Sequence, residues 1–459
     1  KLIINKMRKI ILVAILCFAY NLNAQTFSYN DIGLLFSKEN INGTARFNSM
    51  SGAFGALGGD LSAIEINPAG AAVFTNSEFS TSLSIRNSKI TSAFYGNNEI
   101  TDNDYANLSQ AGGVFVFEGG KNSNWGKIAF GFNYSVINDF ENFWLAKGNS
   151  GAAPLTDIYD PDVTYNITDG QYFESFTKGK NNKYSFTFAT QNSNNLFLGA
   201  SINTYDVEYY QNALLEEYNS DDTSNTFDIS QFQDLLTYGE GISISLGLIS
   251  KLSNNLRLGL AYQSPVWYNL SEESIKYDVD IYENDLNITN EFNSEDTYSG
   301  VNFFDYRLKT PSKLTGSFAY IFDKIGLISI DYTHKNYSNI KISNTSFNNE
   351  NFTEENMGFK ETLKSTGEFK IGTEWRFDNF SLRGGYHFEK NPYSNAIDSD
   401  NLEGFSLGAG VKHRNIKFDI SYQKNNNTAS YNFYPEYNLN SSDLNFDTSK
   451  ITATFVLCL

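Results

Sequence analysis

Residues Phe369–Glu389 read FKIGTEWRFDNFSLRGGYHFE, and this stretch decides the fold. Phe369, Ile371, Trp375 and Phe377 share one face of an extended chain, and Lys370, Gly372, Glu374 and Arg376 share the other. After Asp378-Asn379 the pattern restarts. Phe380, Leu382, Tyr386 and Phe388 alternate with Ser381, Arg383, His387 and Glu389. A strand in a soluble sandwich also alternates, but its apolar face points into a core. Here about fourteen such segments would have to bury their apolar faces together, while their polar faces carry Lys, Arg and Glu. The pattern predicts an all-β closed barrel of 14 antiparallel strands, apolar toward lipid and polar toward a lumen. In hydrocarbon every backbone N–H and C=O must be paired, which only helices and closed barrels achieve.

Working outward from this hairpin, strands are expected at about 77–91, 110–119, 126–138, 182–193, 195–209, 239–252, 254–269, 310–322, 324–336, 364–376, 378–390, 403–413, 415–425 and 448–459. Short connections rich in Asn and Asp, such as Ser193-Asn194-Asn195 and Phe322-Asp323-Lys324, tolerate the left-handed conformations of tight turns. They alternate with long connections at 92–109, 139–181, 210–238, 270–309, 337–363, 391–402 and 426–447. Outer-membrane barrels have short periplasmic turns and long extracellular loops, so an even strand count puts both chain ends on the periplasmic side. The segment before the first strand is then placed to enter the barrel from below. In the last strand Ile451, Ala453, Phe455, Leu457 and Leu459 alternate with Thr452, Thr454, Val456 and Cys458.

The bulk properties agree. The chain has 459 residues, 29 Tyr, 38 Phe and a mean hydropathy of −0.38. Nothing after residue 24 approaches the roughly 20 apolar residues of a membrane helix. A barrel needs none, and its interfaces are girdled by aromatic residues. Residues 1–24 read as a secretory signal. Lys6, Arg8 and Lys9 precede the apolar run Ile10 to Tyr20, Leu22-Asn23-Ala24 is the cleavage site, and Met7 is the expected initiator. Removing them takes away Lys1, Lys6, Arg8 and Lys9 and moves the net charge from −18 to −22, which argues against nucleic acid as a partner. Cys17 leaves with the signal. Cys458 alone remains, which excludes an intrachain disulfide and a thiolate metal cluster.

Residues 25–76 have a different texture from the barrel at 77–459. The run Gly43 to Gly70, GTARFNSMSGAFGALGGDLSAIEINPAG, is rich in small residues and has no period-2 pattern. Short helices and tight turns fit it. This run resembles the N-terminal hatch of the FadL/TodX family of outer-membrane transporters for hydrophobic compounds. Its most specific piece is Gly59-Asp60-Leu61-Ser62-Ala63-Ile64 leading into the signature Asn67-Pro68-Ala69-Gly70. The resemblance implies that residues 25–76 plug the lumen. It also implies that a hydrophobic ligand settles first among the outer loops, then in an apolar site inside, and leaves sideways through a gap made by an inward kink of the third strand. Gly131 is the expected kink, because Gly in a strand often marks a bend, although Gly199, Gly247, Gly259, Gly372 and Gly408 also sit in strands. The Asn67-Pro68-Ala69 bend is expected against the wall beside strand 3.

Other groups of residues bear on the chemistry of the lumen and loops. Arg257, Lys370, Glu374, Arg376, Arg383, Glu389, Lys412, Lys417 and Asp419 are expected to face the lumen, chiefly as ordinary ion pairs, and to offer partners for Asp60 and Glu65 of the hatch. Phe140, Phe143 and Trp144, and the helically spaced Phe232, Leu235 and Leu236, are candidates for an outer hydrophobic landing site. The acidic runs at 157–162, 216–217, 221–222 and 278–280 lack a strict cation-loop spacing and read as solvated loop surface. His334, His387 and His413 stand on separate strands without a ligand spacing, so no metal, no cofactor and no enzyme are expected.

The expected function is outer-membrane transport of hydrophobic compounds such as long-chain fatty acids, by a monomer set in lipid and lipopolysaccharide. The alternatives are a non-transporting subunit of a secretion or assembly system, and haemin uptake.

Overall fold

A computed structural model describes residues 29–119, 125–151, 155–156, 164–223, 225–284, 287–292, 301–345, 350–433 and 440–459. The signal segment and the acidic run at 157–162 lie outside these residues. Fourteen antiparallel strands close into one barrel. They are β1 (Glu78–Phe94), β2 (Asn97–Glu118), β3 (Trp125–Asp139, continued by Asn142–Gly148), β4 (Ile167–Asn192), β5 (Leu196–Ser220), β6 (Thr226–Lys251) and β7 (Leu256–Gln263, continued by Trp267–Asn284). The ring goes on through β8 (Asn302–Lys309 and Lys313–Phe322), β9 (Gly326–Asn336 and Lys341–Asn344), β10 (Ser365–Phe377), β11 (Phe380–Glu389), β12 (Leu402–His413), β13 (Ile416–Tyr431) and β14 (Ser442–Cys458). β1 pairs with β14 from Glu78–Cys458 to Ala93–Asp443, which leaves no sheet edge at the seam.

The tight turns follow the residue types expected of them. Ser193, Asp323 and Asp378 have φ near +50°, and so does Arg414, where the hairpin leaves no other choice. The alternation expected at 369–389 holds. Leu382, Tyr386, Phe418 and Ile420 lie exposed on the outer face, while Arg383, His387 and Asp419 are buried inside. Lys417 points inward too and pairs with Glu78 at 2.7 Å. Along β1 the outward apolar residues Phe79, Leu83 and Ile85 give way to the polar Asn87 and Lys89. An apolar band of this kind matches the roughly 25 Å belt of a membrane barrel. Ile420 lies within this band, so Ile420→Arg is expected to cost about 2–4 kcal/mol if it is near the midplane. Equilibrium unfolding in lipid vesicles measures this, and a cost near zero would place Ile420 in the lumen.

The strands run much further than expected at the long-connection end. β1 and β2 meet in a hairpin at Tyr95 and Gly96, both with positive φ, where a loop over 92–109 was expected. Much of 139–181 and 210–238 is likewise strand. β5 and β6 are 25 and 26 residues long, which at about 3.3 Å per residue is roughly three times the height of the apolar belt. The physical reason is that the outer face meets water beyond the belt. There Lys89 stands opposite Asp102 and Asn87 opposite Asp104, so pairing continues after the hydrophobic alternation has stopped. The helically spaced Phe232, Leu235 and Leu236 stand in β6, a strand. Its period of two puts Ile229 and Leu235 on the inner face and Phe232 and Leu236 on the other.

Candidate functional site

The segment before β1 threads the lumen. It holds α1 (Tyr29–Leu35), α2 (Ala45–Ser49), α3 (Ala63–Ile66) and a 3-10 turn at Pro68–Val73. Short elements suit a run so rich in Gly and Ala, since each helix is held by caps and by the wall rather than by its own length. Thr44 caps α2 by accepting from Phe47 N, and its hydroxyl donates to Asp60 at 2.8 Å. The segment does not merely enter from the short-turn end. α1 lies at the opposite end, where Asp31 accepts a hydrogen bond from Tyr393 and Gly33 abuts Phe359 of α4 (Thr353–Thr362).

Three sets of polar contacts seat this segment. Near the short turns, Arg46 bonds Glu374 at 2.7 Å, and Arg383 joins Glu374 at 2.6 Å to Asp419 at 2.5 Å. Asp331 accepts from Phe54 N and Gly55 N, both at 2.9 Å. At mid-height Glu65 pairs with Lys183 at 2.6 Å and accepts from Asn133 at 2.8 Å, and Glu39 pairs with Lys313. The expected cation partners for Asp60 and Glu65 thus come from elsewhere than β10–β13. Asp60 meets Arg46 of its own segment at 4.0 Å and Glu65 meets β4. The β10 and β11 network offers the segment a carboxylate instead.

The signature bend is built as its residues suggest. Asn67 accepts from Ala69 N at 3.1 Å and donates to Gly55 O at 2.7 Å and Leu248 O at 3.1 Å. Pro68 opens the 3-10 turn, where its missing N–H costs nothing. The bend packs on β5 and β6, and the 3-10 turn it opens also reaches β4 and β3, where Ala129 shares a buried cluster with Ala69. A Cβ on Gly199 would fall 2.4 Å from Ala69 N, and one on Gly247 would fall 2.0 Å from Asn67 Oδ1. Gly259, Gly372 and Gly408 meet Gly55, Met50 and Ser49 in the same way. The strand glycines therefore clear space for the plug.

Gly131 belongs to this set and is not a kink. It pairs regularly with Val114 and Thr187, and a Cβ there would lie 3.1 Å from Ile64. The bend in β3 comes later. Its ladder with β4 shifts register between Val136 and Asn138, with Ile137 as the extra residue. The β2–β3 ladder stops at Gln110–Ser135, although β2 continues to Asn97 along β1. Past that point β3 runs on the inner side of the hairpin. Thr101 and Asn103 reach Phe143 O at 2.8 and 2.9 Å, and Gly148 lies against Phe94. Residues 97–109 of β2 thus have no β3 ladder among the described residues.

Around α1 the lumen holds an apolar cluster. Ile32, Leu34 and Phe36 of the N-terminal segment pack with Phe140, Tyr209, Leu235, Tyr268 and Tyr306. Phe36 stands 5.9 Å from Phe140 and 6.2 Å from Tyr209, ring to ring. The residues expected as one landing site are therefore split. Phe140 and Leu235 belong to this cluster. Trp144 joins a second aromatic cluster with Phe94, Phe173 and Phe433 at the outer mouth, Phe143 is half-buried, and Phe232 and Leu236 lie on the other face of β6. The sequence reading missed Glu39, Lys183, Lys313 and Asp331. Of these, Lys183 sits in register with the inward Ser185 and Thr187, a signal that alternation carries.

Among the described residues no group of three or more His, Cys, Asp or Glu could hold a metal ion. Asp221, at the tip between β5 and β6, spends its carboxylate on Thr223 and Asn225, whose hydrogen bonds hold it down to about 2.

No family model and no curated protein matches the chain. Solved structures do. A Pseudomonas aeruginosa FadL homologue is 13% identical, with a TM-score of 0.62 over 92% of this chain and 99% of that one. The P. putida toluene transporter TodX is 12% identical, with a TM-score of 0.52 over 92% and 99%. The Ralstonia pickettii toluene transporter TbuX is 14% identical, with a TM-score of 0.51 over 91% and 99%. The chain, itself a closed barrel of fourteen strands, shares the fold of these structures over 91–92% of its length.

Proposed function

We propose that this barrel carries hydrophobic small molecules, long-chain fatty acids among them, across the outer membrane of a Gram-negative cell and releases them sideways between β2 and β3. The observation that carries this reading is the end of the β2–β3 ladder at Gln110–Ser135, where β3 bends inward beside a lumen that the plug fills below. A straight path would expose the ligand to water, whereas a lateral path keeps it in apolar surroundings, worth roughly 0.8 kcal/mol per CH₂. The solved barrels of the same fold include toluene transporters, which supports an apolar cargo. On this reading the ligand passes from the outer loops to the apolar cluster around Phe36, Phe140 and Tyr209, and the plug bears on the wall through Glu65 and Glu374.

Deleting Ile137 tests this. The deletion removes the bulge and keeps the Asn138–Asn181 pairing, so β3 can continue straight beside β2. Uptake of a long-chain fatty acid, in cells with matched surface levels, should fall to that of cells lacking the protein. Unchanged uptake would leave a plugged structural barrel as the better reading.

A further inference from the structure

We propose that Arg307, Lys309 and Lys341, on the outer wall of the barrel, bind the phosphates of lipopolysaccharide in the outer leaflet of the membrane. The inference concerns the lipid-facing surface and is independent of the cargo.

The three residues share one exposed face. On β8, Arg307 and Lys309 point outward and alternate with the buried Tyr306 and Leu308. On β9, Lys341 points outward beside the buried Ile342. Lys309 lies directly opposite Lys341 in the β8–β9 ladder, and Arg307 lies opposite Ser343. Residues placed in this way have Cβ atoms about 4.5–5.5 Å apart, and like charges there repel. Neither lysine has an ion pair or a side-chain hydrogen bond among the described residues.

Elsewhere beyond the apolar belt, cations are answered by an acid. Lys89 stands opposite Asp102, Lys180 stands opposite Glu208, and Lys424 pairs with Asp447. Here no acid answers. Arg307 gives its Nε to Asn269 Oδ1 at 3.2 Å, which leaves its terminal nitrogens unpaired among the described residues. Asp305, the next outward residue of β8, accepts from Ser271 at 2.6 Å and forms no ion pair with Arg307. The whole chain carries a net charge of −18, so three unanswered cations on adjacent outward positions run against its composition. Their missing partner is an anion from outside the protein. A phosphate suits them, because a guanidinium forks onto two of its oxygens while the ammonium groups act as point charges.

The height of the cluster selects the source of that phosphate. Toward the short-turn end, Leu314, Phe318 and Tyr320 are exposed on the same face of β8. From Tyr320 to Lys309 is a climb of about eleven residues, roughly 25–30 Å for a tilted strand, which is the height of the apolar belt. Trp267 of β7 lies opposite Lys309 on its other side and is 46% exposed. An outward Trp at this level marks the interface between lipid tails and headgroups. The cluster therefore stands at headgroup level at the long-connection end. In an outer membrane the outward leaflet is built of lipopolysaccharide, whose phosphates lie at this level above its acyl chains. Those chains would run down past Tyr262, Leu314 and Phe318, all exposed below the cluster.

The test measures binding of lipid A, with and without its phosphates, and of phosphatidylglycerol to the full-length protein purified in detergent. Native mass spectrometry with divalent cations chelated reads each affinity. Lys309→Gln combined with Lys341→Gln should weaken binding of phosphorylated lipid A about thirtyfold and leave the dephosphorylated form unchanged. Lys360→Gln combined with Lys390→Gln removes the same charge from exposed positions outside the cluster and should change neither. If the first double variant does not give folded barrel, Arg307→Gln and Lys309→Gln are measured singly, each with an expected loss of about fivefold. Unchanged binding in the cluster variants overturns the site. So does an equal loss in both double variants, which would show an effect of net charge alone. Phosphatidylglycerol that binds as tightly as phosphorylated lipid A, and loses as much in the first double variant, would make the cluster a general anionic surface. Wild-type binding that vanishes on chelation would place the contact on carboxylates bridged by a cation and also overturn it.

Discussion

Glu374→Ala is expected to destabilise the folded barrel by about 3 kcal/mol, the low end of what removing one partner of a buried ion pair costs. Glu374 is 1% exposed and holds Arg46 of the plug at 2.7 Å, Arg383 of β11 at 2.6 Å and its neighbour Arg376 at 2.5 Å. Without it three guanidiniums face one another at the short-turn end of the lumen. Two of them have relief. Arg376 is 43% exposed and can turn to water, and Arg383 keeps Asp419 at 2.5 Å. Arg46 keeps the Phe54 ring at 5.1 Å, the carbonyl of Gly59 at 3.1 Å and Asp60 at 4.0 Å, a weaker set, so most of the cost falls on the plug. Urea unfolding in lipid vesicles reads the loss. Glu374→Gln should recover part of it, because the amide oxygen still accepts from a guanidinium. A change under about 1 kcal/mol would mean that this network is solvated like an exposed pair.

How much of this was legible in the sequence depends on what each residue faces. Lipid contact leaves a clear signature, because most outward positions in the belt are apolar, with Thr373 an exception. Phe369–Glu389 therefore gave its strands and its facing directly. Beyond the belt both faces of β5 and β6 meet polar surroundings or packed interior, so 204–214 carry strand pairing without an outward hydrophobic alternation. The plug was legible as a texture, since only small residues allow backbones as close as Gly58 and Gly70. Its seating was not. Gly199 and Gly247 receive Asn67-Pro68-Ala69, yet in sequence they look the same as Gly131 or Gly372, and nothing local says which part of the plug each strand glycine meets. The bend of β3 was sought at a glycine and lies at a bulge around Ile137, which needs no special residue.

Gly199→Val is expected to unseat the plug and open the lumen to small polar solutes. The Cβ alone would stand 2.4 Å from Ala69 N and from Pro68 C, both backbone atoms that no rotamer change can move. The wall at this point is β5 held between β4 and β6 by continuous ladders, so it yields less readily than a short 3-10 turn anchored by Asn67. Overpacking of this kind costs about 1–3 kcal/mol, occasionally more. Charged to the seated state alone, that shifts the balance of seated and unseated plug by about 5- to 150-fold. The ladder hydrogen bonds do not depend on the residue at 199, so the barrel itself should remain closed and heat-resistant. Gly316→Ala is the control, because a Cβ there meets nothing within 4 Å. Gly199→Val should raise the sensitivity of cells to small hydrophilic antibiotics and give larger single-channel conductance in planar bilayers, while Gly316→Ala should match the wild type. Equal conductance in all three would mean that the Asn67-Pro68-Ala69 bend does not seal the lumen, and that the seal lies higher, where Phe36 packs between Phe140, Tyr209 and Tyr268.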